Sequence, residues 1–140
     1  MKSLSILLIN SFILLLFCGN LSATDIIETE GEQAGFHEKA FKKRLISLTH
    51  DGATVYFKFK EAGLGFVADS ESGFEFNLKQ GQLFSTAPDH HGATQYILEE
   101  IGPDGITLRY EARFDHRSFG PDKITIDRGT FKLPYISPPP

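Results

Sequence analysis

The chain carries five His residues, and three of them stand beside acids in segments rich in turn formers: Asp89-His90-His91, which follows Pro88, and Asp115-His116-Arg117. Three imidazoles and two carboxylates are a sufficient donor set for a divalent cation if the two segments meet at one end of a fold. Their spacing matches no metal motif, however. Adjacent side chains on an extended chain also point to opposite sides, so His90 and His91 do not easily ligate together. Turn-forming Asp and solvated His account for the same residues without a metal, and no cofactor is expected.

Other chemistries find less support. Cys18 is the single Cys, so the chain beyond it has no thiol nucleophile, no disulfide and no Cys-based zinc site. There is no Gly-x-Ser-x-Gly turn to hold a serine nucleophile. Glu75, Glu99, Glu100 and Glu111 are carboxylates of the kind glycoside hydrolysis needs, but Glu75 and Glu111 fall on the polar phase of alternating runs and are expected to face solvent. The glycines stand in turns, not ahead of a helix where they would cradle phosphate.

The connection formed by residues 115–122 is longer than a tight hairpin needs, and it holds a cation, a titratable imidazole and a large apolar ring. Loops on a rigid sheet are where binding residues concentrate, and Arg with an aromatic ring is a common interface pair. Asp115, His116, Arg117 and Phe119 are therefore the candidate binding residues. The competing structural reading tucks Phe119 over the open end of a core and pairs Asp115 with Arg117 locally. Tyr56 is the only obvious ring for a sugar platform, because the chain has no Trp. Lys39, Lys42, Lys43 and Arg44 form the one basic cluster, read most simply as a solvated face that pairs with the preceding acids.

These residues must be positioned by strands, because the hydrophobic period is two. Val55, Phe57 and Phe59 alternate with Tyr56, Lys58 and Lys60, and Phe74, Phe76 and Leu78 alternate with Glu75, Asn77 and Lys79. Ile106, Leu108, Tyr110, Ala112 and Phe114 alternate with Thr107, Arg109, Glu111 and Arg113. Each run offers one face to a core and one to water. Turn signals punctuate them: Asp51-Gly52, Gly102-Pro103-Asp104-Gly105, and Asp127-Arg128-Gly129, which separates runs at 123–126 and 130–133. Seven or eight strands follow, with no long helical segment. The expected fold is all-β: a single antiparallel β-sandwich or small barrel. Residues 32–44 admit either one short N-terminal helix or an extended start from Phe41. With eleven of the thirteen Phe beyond residue 23, Phe supplies much of the core.

The ends of the chain differ from this pattern. Residues 1–23 place Lys2 ahead of an apolar stretch at 4–17 and small residues near Ala23, the parts of a secretory signal cut before Thr24. The apolar stretch is too short to cross a bilayer. Cys18 offers a second outcome, lipidation, though Phe17 is large where such sites want a small residue. Residues 24–40, with Glu28, Glu30 and Glu32, read as a flexible acidic arm, residues 41–136 as one β domain, and residues 137–140 as a Pro-rich tail.

A net charge of −4, which falls by one when Lys2 is removed, argues against nucleic acid as a partner. Membrane contact is expected only if Cys18 is lipidated. The chain thus reads as a secreted or periplasmic β protein acting as a non-catalytic binding or interaction module for a protein partner, inhibitor-like if that partner is an exported enzyme. The alternative is a small extracytoplasmic hydrolase or metal-dependent enzyme using the His-bearing loops.

Overall fold

The structure, a computed structural model, describes residues 23–60, 74–86 and 92–140. The expected signal segment up to Ser22, including Cys18, lies outside the described residues, as do Asp89, His90 and His91. In chain order the elements are β1 (Asp25–Glu30), α1 (Ala34–Arg44), β2 (Leu45–His50), β3 (Thr54–Phe59), β4 (Phe74–Lys79), β5 (Leu83–Ser85), β6 (Gly92–Ile101), β7 (Gly105–Asp115), a single 3-10 turn (Arg117–Phe119) and β8 (Lys123–Pro134). A five-stranded sheet runs β1-β8-β7-β6-β5 and a three-stranded sheet runs β2-β3-β4. The protein is an all-β, two-layer sandwich with one helix. It is not a closed barrel, although an isolated bridge from Leu48 of β2 to Ile136, with both backbone bonds at 2.9 Å, links the sheets along one side.

The alternation in the sequence translates directly into layers. Val55, Phe57 and Phe59 of β3 and Ile106, Leu108 and Tyr110 of β7 are buried, while Tyr56, Lys58, Arg109 and Glu111 are exposed. Between the sheets the rings form a continuous chain. Phe57 stacks on Phe76 at 4.7 Å, Phe76 meets Phe84 at 4.6 Å, and Phe84 stacks on Tyr96 at 5.1 Å. Phe41 of α1 reaches both layers, 5.8 Å from Phe59 and 5.5 Å from Phe131. Full burial of each such ring is worth about 2 kcal/mol. Phe does not carry the core alone, however: Phe41, Phe57, Phe59 and Phe131 share it with Leu45, Leu48, Leu78, Leu98, Leu108 and Leu133, and Phe36, Phe114 and Phe119 are exposed.

The turn at Asp51-Gly52 forms as its residues dictate. Gly52 adopts φ +93°, and Asp51 Oδ1 accepts from the backbone N–H of Ala53 and Thr54 at 3.0 and 2.7 Å. Three expectations need correction. Asp127-Arg128-Gly129 is not a turn: β8 is continuous from Lys123 to Pro134 and pairs with β7 along its length. Gly129 stands opposite Tyr110, where an added Cβ would lie 2.8 Å from the Tyr110 hydroxyl and 2.9 Å from its ring. Close approach of a ring, not a bend, requires glycine there.

Residues 24–40, expected as an arm, hold β1 and the greater part of α1, which is the short N-terminal helix that residues 32–44 admit. The helix ends on Lys42, Lys43 and Arg44, cations that suit the negative end of its dipole. Finally, the sheets are not wholly antiparallel. β1 pairs with β8 in parallel, Asp25 opposite Lys123 through Glu30 opposite Arg128, which is possible because the chain passes through the other sheet between them.

Candidate functional site

β7 delivers Asp115 to the end of the five-stranded sheet, where it pairs with Ile124 of β8. The connection that follows is tightly self-bonded. Asp115 accepts from the Arg117 backbone N–H at 3.0 Å and from its guanidinium at 2.9 Å (Nε) and 2.6 Å (Nη2). These bonds hold the Asp115 carboxyl well below the usual carboxylate range and push Arg117 up. The His116 backbone N–H donates to the Lys123 carbonyl at 3.0 Å, its Nε2 lies 3.0 Å from Thr125 Oγ1, and the Phe119 N–H donates back to the His116 carbonyl at 2.9 Å.

The four candidate residues therefore divide. Asp115 and Arg117 satisfy each other, and half-buried His116 braces the loop against β8. Phe119 is 63% exposed and does not cap the core. It lies parallel to Phe114, with ring centroids 6.0 Å apart, and the His116 ring meets Phe114 edge-on at 4.6 Å. Phe114 shares the core-facing phase of Ile106, Leu108 and Tyr110, yet it is 38% exposed. It stands where β7 has run beyond the packed region. In register with it across the sheet are Thr125 and then Ile27 of β1, which is also exposed.

Sequence reasoning missed a second cluster, buried beneath α1. Asp127 of β8 accepts four hydrogen bonds: from Thr29 Oγ1 of β1 at 2.6 Å, from the Tyr110 hydroxyl of β7 at 2.5 Å, and from the backbone N–H of Gln33 and Glu32 at 2.8 and 3.3 Å. Burial pushes its carboxyl up, but those bonds outweigh burial and hold it below its ordinary value. Placed just ahead of α1, the carboxylate also favours the positive end of the helix dipole, where the chain offers no capping side chain of its own.

His37 of α1 sits beside this cluster. Its Nδ1 lies 2.8 Å from the Tyr96 hydroxyl and its ring 4.4 Å from that of Tyr110, while Nε2 is buried without a hydrogen-bond partner among the described residues. Burial lowers its pKa against an opposing pull from Asp127. Burial likewise raises the hydroxyls of Tyr96 and Tyr110, helped at Tyr110 by its bond to Asp127. A neutral imidazole and two protonated phenols around a fully engaged carboxylate form a brace that joins α1, β1, β6, β7 and β8. The sequence signal was the four-residue spacing of His37 and Phe41, which puts both on the inner side of the helix.

The remaining chemical candidates are not brought together. Glu75 pairs with Lys58 at 3.2 Å, Glu99 with Arg109 at 3.7 Å and Glu111 with Arg128 at 2.8 Å, all on solvent-facing surfaces of two different sheets. Among the described residues no three His, Cys, Asp or Glu side chains converge to hold a metal ion, and His116 is the only member of the three-His set that is described. Tyr56 is exposed, but its hydroxyl donates to Asp51 at 2.9 Å and staples the β2–β3 turn. Lys42 pairs with Glu38 at 3.5 Å on α1. Comparison of the chain with family models, with curated proteins and with solved structures returned no match.

Proposed function

We propose that the chain is an exported, non-catalytic binding module that meets a protein partner through the Phe114–Phe119 pair at the end of the five-stranded sheet. The observation that carries this reading is the exposure of two parallel aromatic rings, Phe114 at the end of β7 and Phe119 on the loop, beside an Asp115–Arg117 pair bonded to itself. A ring held in place loses little conformational freedom when a partner covers it, which is why rigid aromatic anchors dominate binding energy. Arg117 and Asp115 contribute the brace, and His116 anchors it to Thr125. Export rests on the N-terminal segment with Lys2 and the apolar stretch at 4–17.

The test places a photo-crosslinking residue at Ser118 and compares adducts formed in the native host by the otherwise unaltered chain and by its Phe119→Ser derivative. A genuine partner loses about tenfold or more of its adduct yield in the derivative, the effect of removing a central aromatic anchor. The same adducts at the same yield from both chains would remove this loop as the binding surface.

A further inference from the structure

β1 has β8 on one side and no described strand on the other. Its main-chain phase follows from the bonds at its two ends. The Asp25 N–H donates to the Asp122 carbonyl at 3.0 Å and the Gly31 N–H to the Arg128 carbonyl at 2.7 Å, so the odd-numbered residues face β8. In a strand, the residues between them turn their N–H and C=O the other way. Ile26, Glu28 and Glu30 therefore present three donors and three acceptors in a row along the outer edge of the sheet, and no described residue bonds to them. Natural edges are usually shielded by Pro, charged side chains, a bulge, shortness or a covering element. Of the other sheet edges, β2 is met by Ile136, β5 has only three residues, and β4 is a second six-residue edge with no described strand beyond it. β1 has six residues in unbroken register without Pro, bulge or cover. Its one such device is charge, the carboxylates of Asp25, Glu28 and Glu30, which oppose a like-charged strand but not a cationic one.

Side chains specify what fits this edge. Ile26 is 64% exposed and Ile27 is exposed on the opposite face, which provides apolar contact on both sides of an added strand. Asp25, Glu28 and Glu30 are exposed carboxylates; β8 sets two cations beside them, Lys123 opposite Asp25 and Arg128, which is shared between Glu28 at 3.0 Å and Glu111 at 2.8 Å, so acidic groups remain in excess. A second copy of the chain would bring three more carboxylates to the junction. A strand bearing cations would find opposite charges across from it, the favourable cross-strand case.

We infer that the outer edge of β1 takes up an extended segment of a partner protein carrying Lys or Arg at alternate positions, as a sixth strand of the five-stranded sheet. The inference rests on the binding role proposed above and gives the partner a chemical character. Main-chain bonds supply affinity in this mode, and alternate side chains supply selectivity. The edge also begins at the aromatic loop, because Thr24 Oγ1 donates to Asp122 at 2.8 Å and Ile27 shares a row with Thr125 and Phe114.

The experiment titrates an eight-residue peptide of alternating lysine and valine into isotope-labelled protein and follows amide hydrogen exchange by NMR. At saturation the amides of Ile26, Glu28 and Glu30 gain about tenfold or more in protection, while those of Ile27 and Thr29, already facing β8, are unchanged. A peptide with glutamate in place of lysine binds at least about tenfold more weakly, as does the lysine peptide to the Ile26→Lys variant. Retained protection at Ile27 and Thr29 in that variant shows that β1 is still docked. The inference falls if the three edge amides gain no protection at about millimolar peptide, if the glutamate peptide protects them equally, or if protection grows with protein concentration alone and so reports a second copy.

The two surfaces fail separately. Phe119→Ser leaves the peptide titration unchanged if the edge is the site. Loss of crosslinked adducts from that derivative without edge protection keeps the loop and discards the edge.

Discussion

Two Asp-centred clusters within the same sheet start from the same residue type and serve opposite ends. At the end of β7, Asp115 takes its partner, Arg117, from its own loop; Arg117 is exposed and Asp115 half-buried. Under α1, Asp127 takes its partners from β1, β7 and the chain entering the helix, and is 4% exposed. Each carboxyl is held below its ordinary value, yet by different balances: one by a neighbouring guanidinium, the other by four neutral donors against the cost of burial. The same ionised residue shapes a presentation loop where water is present and locks the architecture where it is not. Burial, not residue type, separates a surface that can meet a partner from one that holds the molecule together.

Asp127→Ala should break the comparison most visibly. It leaves the Tyr110 hydroxyl and the Gln33 N–H without their acceptor in a buried setting, at a cost of about 3 kcal/mol read from urea unfolding. Asp115→Ala should leave the urea midpoint where it is. If both variants shifted the midpoint equally, the distinction drawn here would be lost.

His37 sharpens the contrast through pH. Burial lowers its pKa in the folded protein from the ordinary 6.5, so between the two values the unfolded chain binds the extra proton. Its contribution is therefore fully present above pH 6.5 and is lost as pH falls below it, with a slope of at most about 1.4 kcal/mol per pH unit. Urea midpoints of the wild type should fall from about pH 7 to about pH 5, and His37→Phe should flatten that decline. An unchanged slope in the variant would place the proton uptake elsewhere. The smallest effect belongs to Arg117→Ala, which should leave stability alone while the Asp115 carboxyl, followed by NMR titration, rises toward 3.8.

What could be read in the sequence divides along the same line. β3 and β7 were legible because each has one wet and one dry face, and the two-residue period records that difference. β1 was not, because an edge strand exposed on both faces has no alternation, and Asp25, Glu28 and Glu30 then look like a solvated arm. Asp127-Arg128-Gly129 has the composition of a turn, but the carboxylate was reserved for residues remote in sequence and the glycine for the Tyr110 ring. Local chemistry cannot reveal non-local partners. At the candidate site the length of the loop and its aromatic ring could be read in advance. That Phe119 projects outward, while Asp115 and Arg117 close on each other, depended on where the packed region ends along β7.

The pairing of β1 with β8 sets the order in which the molecule can be completed. Thr29 waits for Asp127 and Glu28 for Arg128, partners about a hundred positions further along the chain, and Leu48 waits for Ile136. Contacts this distant carry a high loop-closure cost and form late. A chain made from its N-terminus therefore cannot seat β1 until β8, the last described strand, has appeared. Until then β1 lacks the strand it pairs with and Thr29 the carboxylate it donates to.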